Sequence, residues 1–263
     1  MHGILACSAL HLTYRNPIQQ RGYLIKASSH HDIAMPLFRA AITNMDEDNC
    51  HSVLAFSHLL VIYSFAVERQ DERLLLAETD RPDVLPSWLY FLRNSCLMVC
   101  SVWDRIESGP MKDLASQWEV PVEISEEDKQ PLTDYLLSVI PSQSSTDAWP
   151  EDVCRLYSDT AVELGQAFSC TRALDEKFTT WDALRLWPML ISIEYMNLLG
   201  NWHSGALILL AHYCILLQKV ERHWYFEGRS TKLLSTIVKH LDVRWHCCVR
   251  WPLEEIGIQA TLV

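Results

Sequence analysis

Apolar residues recur at three- and four-residue intervals along almost the whole chain, and no stretch alternates apolar with polar between turn signals. The pattern predicts an all-α fold, a single bundle-like domain of roughly eight to ten helices. A first helix is expected over residues 2–14, stopped by Asn16-Pro17 because proline drives its predecessor out of the helical region. A second, over 19–45, contains Pro36 and should kink or break there. Asp48 or Asn49 is placed to cap a third, with Val53, Phe56, Leu60 and Tyr63 on one face. Pro86 opens the next helix, whose stripe is Trp88, Phe91, Leu92, Cys96, Val99 and Trp103, and Ser108-Gly109-Pro110 ends it. Beyond an acidic excursion at 119–130, helices are expected over 131–140, 150–172, 180–199, 204–220 and 228–241. A flexible loop near 141–149 is the weakest join, yet one domain, 1–263, is expected because the pieces on either side are too amphipathic to stand alone. The rings at 223–226 and the tail bearing Trp245 and Trp251 should pack against the body.

Charge and cysteine content narrow the function. The balance of 22 Lys+Arg against 33 Asp+Glu gives −11, which repels phosphate backbones, and no local basic patch compensates. Direct nucleic-acid binding by this chain is therefore not expected. Nine cysteines without a secretory signal read as reduced thiols in a nuclear or cytosolic setting. The longest apolar run, 205–217, is interrupted by His212 and falls short of the ~20 residues that cross a bilayer, so no membrane span is expected.

Candidate chemistry is sparse. No C-x-x-C occurs; Cys96 and Cys100 lie one helical turn apart without a second pair, Cys247-Cys248 and His30-His31 are adjacent, and no metal site is expected. Neither a G-x-S-x-G elbow nor a glycine-rich phosphate loop is present, so no catalytic residue and no cofactor is assigned. Asp104 with Glu107, and Asp159 with Glu163, read as solvated faces; Glu194 falls at the edge of an apolar stripe and His212 reads as a hydrogen-bonded core histidine. Ten tryptophans, nine tyrosines, seven phenylalanines and seven methionines suit a pocket for a rigid apolar ligand, and equally a large helical core.

Several segments carry a family likeness in collinear order. They are MHGILACSALHLTYR at 1–15 with Tyr23, Ala27, His31 and Phe38-Arg39, then Asn49-Cys50 and AFSHLLVIYSFA at 55–66, then WLYFLRN at 88–94 with Trp103 and Gly109-Pro110. ALILLAHYCILL at 206–217, Trp224, Gly228, Trp245, Trp251-Pro252 and Gly257 complete the set. In these residues the chain resembles the C-terminal regulatory domain of fungal zinc-cluster transcription factors of the sterol uptake control type. It departs from that pattern at Asn94, where glycine is usual, and at Tyr225 and Arg229, where tryptophans are common.

The resemblance implies an all-α regulatory domain that encloses an apolar pocket for a sterol or similar molecule and forms homodimers that move between cytoplasm and nucleus. The six-cysteine DNA-binding cluster of that family is not expected here. Helical faces and the likeness together nominate Phe91, Met98, Met196, Tyr213, Trp224 and Gly257 as van der Waals contacts to the ligand. Two alternatives stand beside this reading: an enzyme or carrier for a terpenoid or polyketide, which needs carboxylates such as Asp104 and Glu107 turned into a cavity, and a dimerisation module with a filled core.

Overall fold

The computed structural model describes residues 1–67, 89, 93, 102–113, 126–142, 144 and 148–258. Among them there is no strand, as the periodicity predicts, and eleven α-helices where eight to ten are expected: α1 (His2–Arg15), α2 (Gln20–Thr43), α3 (Cys50–Val67), α4 (Trp103–Ser108), α5 (Glu126–Ser138), α6 (Glu151–Leu174), α7 (Thr180–Leu186), α8 (Ile193–Gly200), α9 (Ser204–Gln218), α10 (Arg229–His240) and α11 (Arg250–Ile256). They gather into two compact units, one holding α1 to α4 with the segment His223–Glu227, the other holding α5 to α11.

Two expectations about helix ends are corrected. The helix expected over 180–199 is two, because Pro188 has no amide hydrogen to extend the ladder beyond Trp187, itself at φ −125°, while the Ser192 side chain accepts from the Tyr195 amide and starts α8 afresh. Of the kink or break expected at Pro36, the break is not made, and α2 runs through it as one helix of 24 residues.

In the first unit, small residues on α1 let it lie close to its neighbours. A β-carbon on Gly3 would come within 2.6 Å of the Phe56 ring, so α1 meets α3 where no side chain intervenes. Ala9, Leu10, Ala27 and Ala66 form one buried cluster, flanked by Tyr63, Trp224 and Tyr225. Phe38, Val53 and Leu60 form a second, and Cys50, Leu54 and Ile106 a third that anchors α4. Phe226 is wholly buried with its ring 4.4 Å from that of Phe65, so the ring-rich segment is packed as expected. By length and composition α3 is apolar enough to cross a membrane, but 56% of it is buried inside the protein, and Ser57 and His58 bond back to its own carbonyls. That is the make-up of a core helix.

The second unit is built around α9. All thirteen residues from Gly205 to Leu217 are buried, so this helix has no solvent face, and α6, α7, α8, α10, α11 and the 3₁₀ segment Val243–Val249 surround it. A helix apolar on all sides reaches a stable place only by being wrapped in this way. α10 supplies the opposite pattern, with Leu233, Leu234 and Ile237 inward and Lys232 and Lys239 outward. The tail packs as expected: Trp245 lies 5.7 Å from Trp149, and Trp251 5.7 Å from Phe168.

Candidate functional site

Two of the nominated ligand contacts lie in the core of the second unit. Tyr213 on α9 has no exposure; its hydroxyl donates to the Ala183 carbonyl at 2.8 Å and its ring lies 4.9 Å from Trp187. Met196 on α8 is also buried, beside Tyr195, whose hydroxyl donates to the Ala206 carbonyl at 2.9 Å. Trp187 donates through its indole nitrogen to the Thr160 carbonyl, and Tyr157 to the Leu136 carbonyl. Each large ring thus ties one helix to the backbone of another, the arrangement that lets a polar tip be buried without loss.

The other nominated residues are dispersed. Trp224 belongs to the first unit, half-buried against His11 and Tyr14 with ring centroids 5.0 and 6.0 Å away. Gly257 is exposed at the end of α11 with φ +77°, a left-handed helix stop open on every side to an added β-carbon. Phe91 and Met98 lie outside the described residues.

A concave apolar feature that the sequence reading did not single out lies in the first unit. A groove of about 200 Å³ runs between α1, α2 and α3, walled by Met1, Gly3, Ala34, Leu37, Phe38, Ala41, Val53 and Phe56, with His2 and Ser52 as its polar members. A separate void of about 10 Å³ that shares Gly3 and Phe56 with it lies beside Cys7, His31 and Tyr63. There the His31 and Tyr63 rings stack at 4.1 Å and Cys7 donates weakly to the Leu59 carbonyl. Burial pushes the Cys7 thiol up to about 11 and lowers the His31 imidazole, so these two walls of the void are uncharged at neutral pH. Nothing in the sequence sets the groove apart: Leu37, which the structure leaves 65% exposed on a helix whose buried stripe is Ala27, Ala34 and Phe38, is one apolar residue among several on α2.

The candidate acids do not converge on a cavity. Asp104 and Glu107 are exposed, Asp159 is exposed beside a half-buried Glu163, and Glu194 is in water. Burial, with Asp159 next, raises the Glu163 carboxyl, whereas backbone and Ser192 hydrogen bonds lower that of Glu194. Among the described residues no group of three or more His, Cys, Asp or Glu is placed to hold a metal ion. A well-buried carboxylate, Asp182, is structural: it accepts from the Thr179 amide and hydroxyl through one oxygen and from Arg185 through the other, at 2.7 to 3.2 Å. Every lone pair that burial strips of water is thereby answered, and the pair closes the capping box of α7.

With the helices and their contents in place, one curated relative can be set beside them. It is Sterol uptake control protein 2 of Candida albicans. The two are 22% identical over 253 residues, a stretch covering 89% of this chain and 33% of that protein. The chain thus spans about a third of the length of the sterol uptake control relative it matches. No protein-family model matches the chain, and no solved structure matches it.

Proposed function

We propose that this chain is a transcription-regulator-like, ligand-sensing domain that binds a sterol or similar apolar small molecule. The observation that carries the reading is the similarity to Sterol uptake control protein 2, which extends over 89% of the chain. The helical architecture and the apolar groove of the first unit are compatible with it. The enzyme alternative asks for carboxylates turned into a cavity, and Asp104 and Glu107 are exposed. As a regulator the protein would act as a homodimer moving between cytoplasm and nucleus, and light scattering then returns twice 30.4 kDa.

Ergosterol delivered from a cyclodextrin carrier tests the reading, with the empty carrier as control. Ligand held only by the folded state stabilises it by about 2.7 kcal/mol at a hundredfold excess over Kd. For a chain of this size that is a saturable Tm rise of roughly 5–10 °C. An unchanged Tm across the titration overturns the proposal. A photoreactive ergosterol analogue locates the contacts: crosslinks at Phe91, Met98, Met196, Tyr213, Trp224 or Gly257 support the set nominated from helical faces and the likeness, and crosslinks at Leu37, Ala41 or Phe56 support the groove.

A further inference from the structure

Cys247 and Cys248 are consecutive in the 3₁₀ segment Val243–Val249, and their sulfurs lie 3.9 Å apart. Cys247 is exposed and Cys248 half-buried, so the pair opens to solvent on one side. The Tyr135 hydroxyl donates to the Cys248 carbonyl at 3.1 Å and holds the backbone beneath it. Two reaction partners are open to such a pair: each other, or a third atom.

Bonding to each other is geometrically unfavourable. Consecutive α-carbons across a trans peptide are about 3.8 Å apart, whereas disulfides usually hold theirs about 4.4–6.8 Å apart. Closing the bond here strains the backbone, so both sulfurs are kept as thiols. Bridging by a third atom fits. The two sulfurs, 3.9 Å apart, can reach one pyramidal trivalent centre after a small inward turn of their side chains. Thiol sulfurs select soft centres. Since no larger group of ligating side chains is gathered among the described residues, a fitting occupant needs two protein sulfurs and brings its remaining ligands itself.

We propose that Cys247 and Cys248 form a chelating dithiol for trivalent, thiophilic main-group centres, of which a monosubstituted arsenical is the simplest. In the reaction R–As(OH)₂ plus two thiols, two As–S bonds form and two As–O bonds break. Both thiol protons leave with the hydroxyl oxygens as two waters, and arsenic stays trivalent, so no oxidant or reductant is needed.

The probe is phenylarsine oxide added to the full chain in millimolar glutathione, with intact mass as the readout. One phenylarsenic group per chain is expected. It should resist the monothiol and be released by dithiothreitol, because chelation favours two-point binding roughly 100-fold or more over a single sulfur. Cys247→Ser, at an exposed position, should lose that resistance with its Tm unchanged. The sequence holds another close pair, Cys96 and Cys100, so a Cys96→Ser/Cys100→Ser variant is run beside it and should bind as the parent does. Retention of the adduct by Cys247→Ser, or its loss from the Cys96/Cys100 variant alone, overturns the proposal. Zinc chloride is not expected to survive desalting, and zinc retained at one equivalent also overturns it.

Discussion

At the scale of the residue, His212 and Trp202 carry the sharpest consequences. The His212 imidazole has no exposure, and its Nδ1 donates to the Ile208 carbonyl at 2.8 Å. That leaves Nε2 as an unprotonated acceptor, buried without a hydrogen-bond partner between the rings of Tyr135 and Trp251. Burial lowers its pKa to about 4, against an unfolded value of about 6.5. The unfolded chain therefore binds the extra proton first. The stability held at neutral pH is complete above about 6.5 and drains as pH falls toward 4, a loss of roughly 3 kcal/mol. His212→Leu should flatten that limb in urea titrations between pH 7 and 4.5, although His31, His58 and His203, also lowered by burial, leave some slope. An unaltered slope would mean that His212 ionises freely. Trp202 ends α8 with φ +57°, its amide bonded to Leu199 and the next amide to Leu198, the hydrogen-bond pattern of a helix stop that glycine usually serves. A non-glycine residue there costs roughly 1–2 kcal/mol, and the stack of Trp202 on His240 at 3.6 Å offsets it. Trp202→Ala loses the stack and keeps the cost; Trp202→Gly loses both. The glycine variant should be the more stable of the two by roughly 1 kcal/mol in urea midpoint measurements at equal m-value.

At the scale of the element, two glycines inside helices respond oppositely to the same change. Gly205 starts α9 where a β-carbon would come within 2.5 Å of the Trp149 ring, and that ring is held by Tyr157, His203 and Trp245 and has nowhere to turn. Gly205→Ala should destabilise by about 1–3 kcal/mol despite alanine's better helix propensity. Gly22 on α2 faces open space, so Gly22→Ala should stabilise by about 0.5–1 kcal/mol. Thermal melts of the pair check both signs, and a shared sign would contradict the packing described for Trp149. Most elements were legible because their stripes are long and their stops chemical: Asn16 ends beyond α1, Gly109 beyond α4, and Gly228, at φ +73°, precedes α10. The division between α7 and α8 was missed because the apolar spacing of Leu184, Trp187, Ile191, Tyr195 and Leu198 runs straight across Pro188. Periodicity there reports that both helices bury the same side, not that they are one.

At the scale of the whole chain, fold class and candidate site were unequally legible. An all-α fold follows from spacing, which is a property of neighbours in sequence. A pocket depends on which rings meet, and Tyr213 and Trp187 illustrate the difference: their positions mark them as large and inward, but only the bonds to Ala183 and Thr160 show them tying helices together. The groove beside Gly3 was equally invisible, since its walls come from three helices whose meeting is not a property of neighbours in sequence.

The complete enclosure of α9 has one more consequence, in time rather than in space. Its amide hydrogens can trade with deuterium only when the helices around it part, which for so central an element amounts to losing the second unit altogether. In a deuterium-exchange experiment the peptide spanning Gly205–Leu217 should be the last in that unit to gain mass, at a rate that follows global unfolding as urea is raised. Faster labelling there than in α10 would reveal an opening route that leaves the rest of the unit intact.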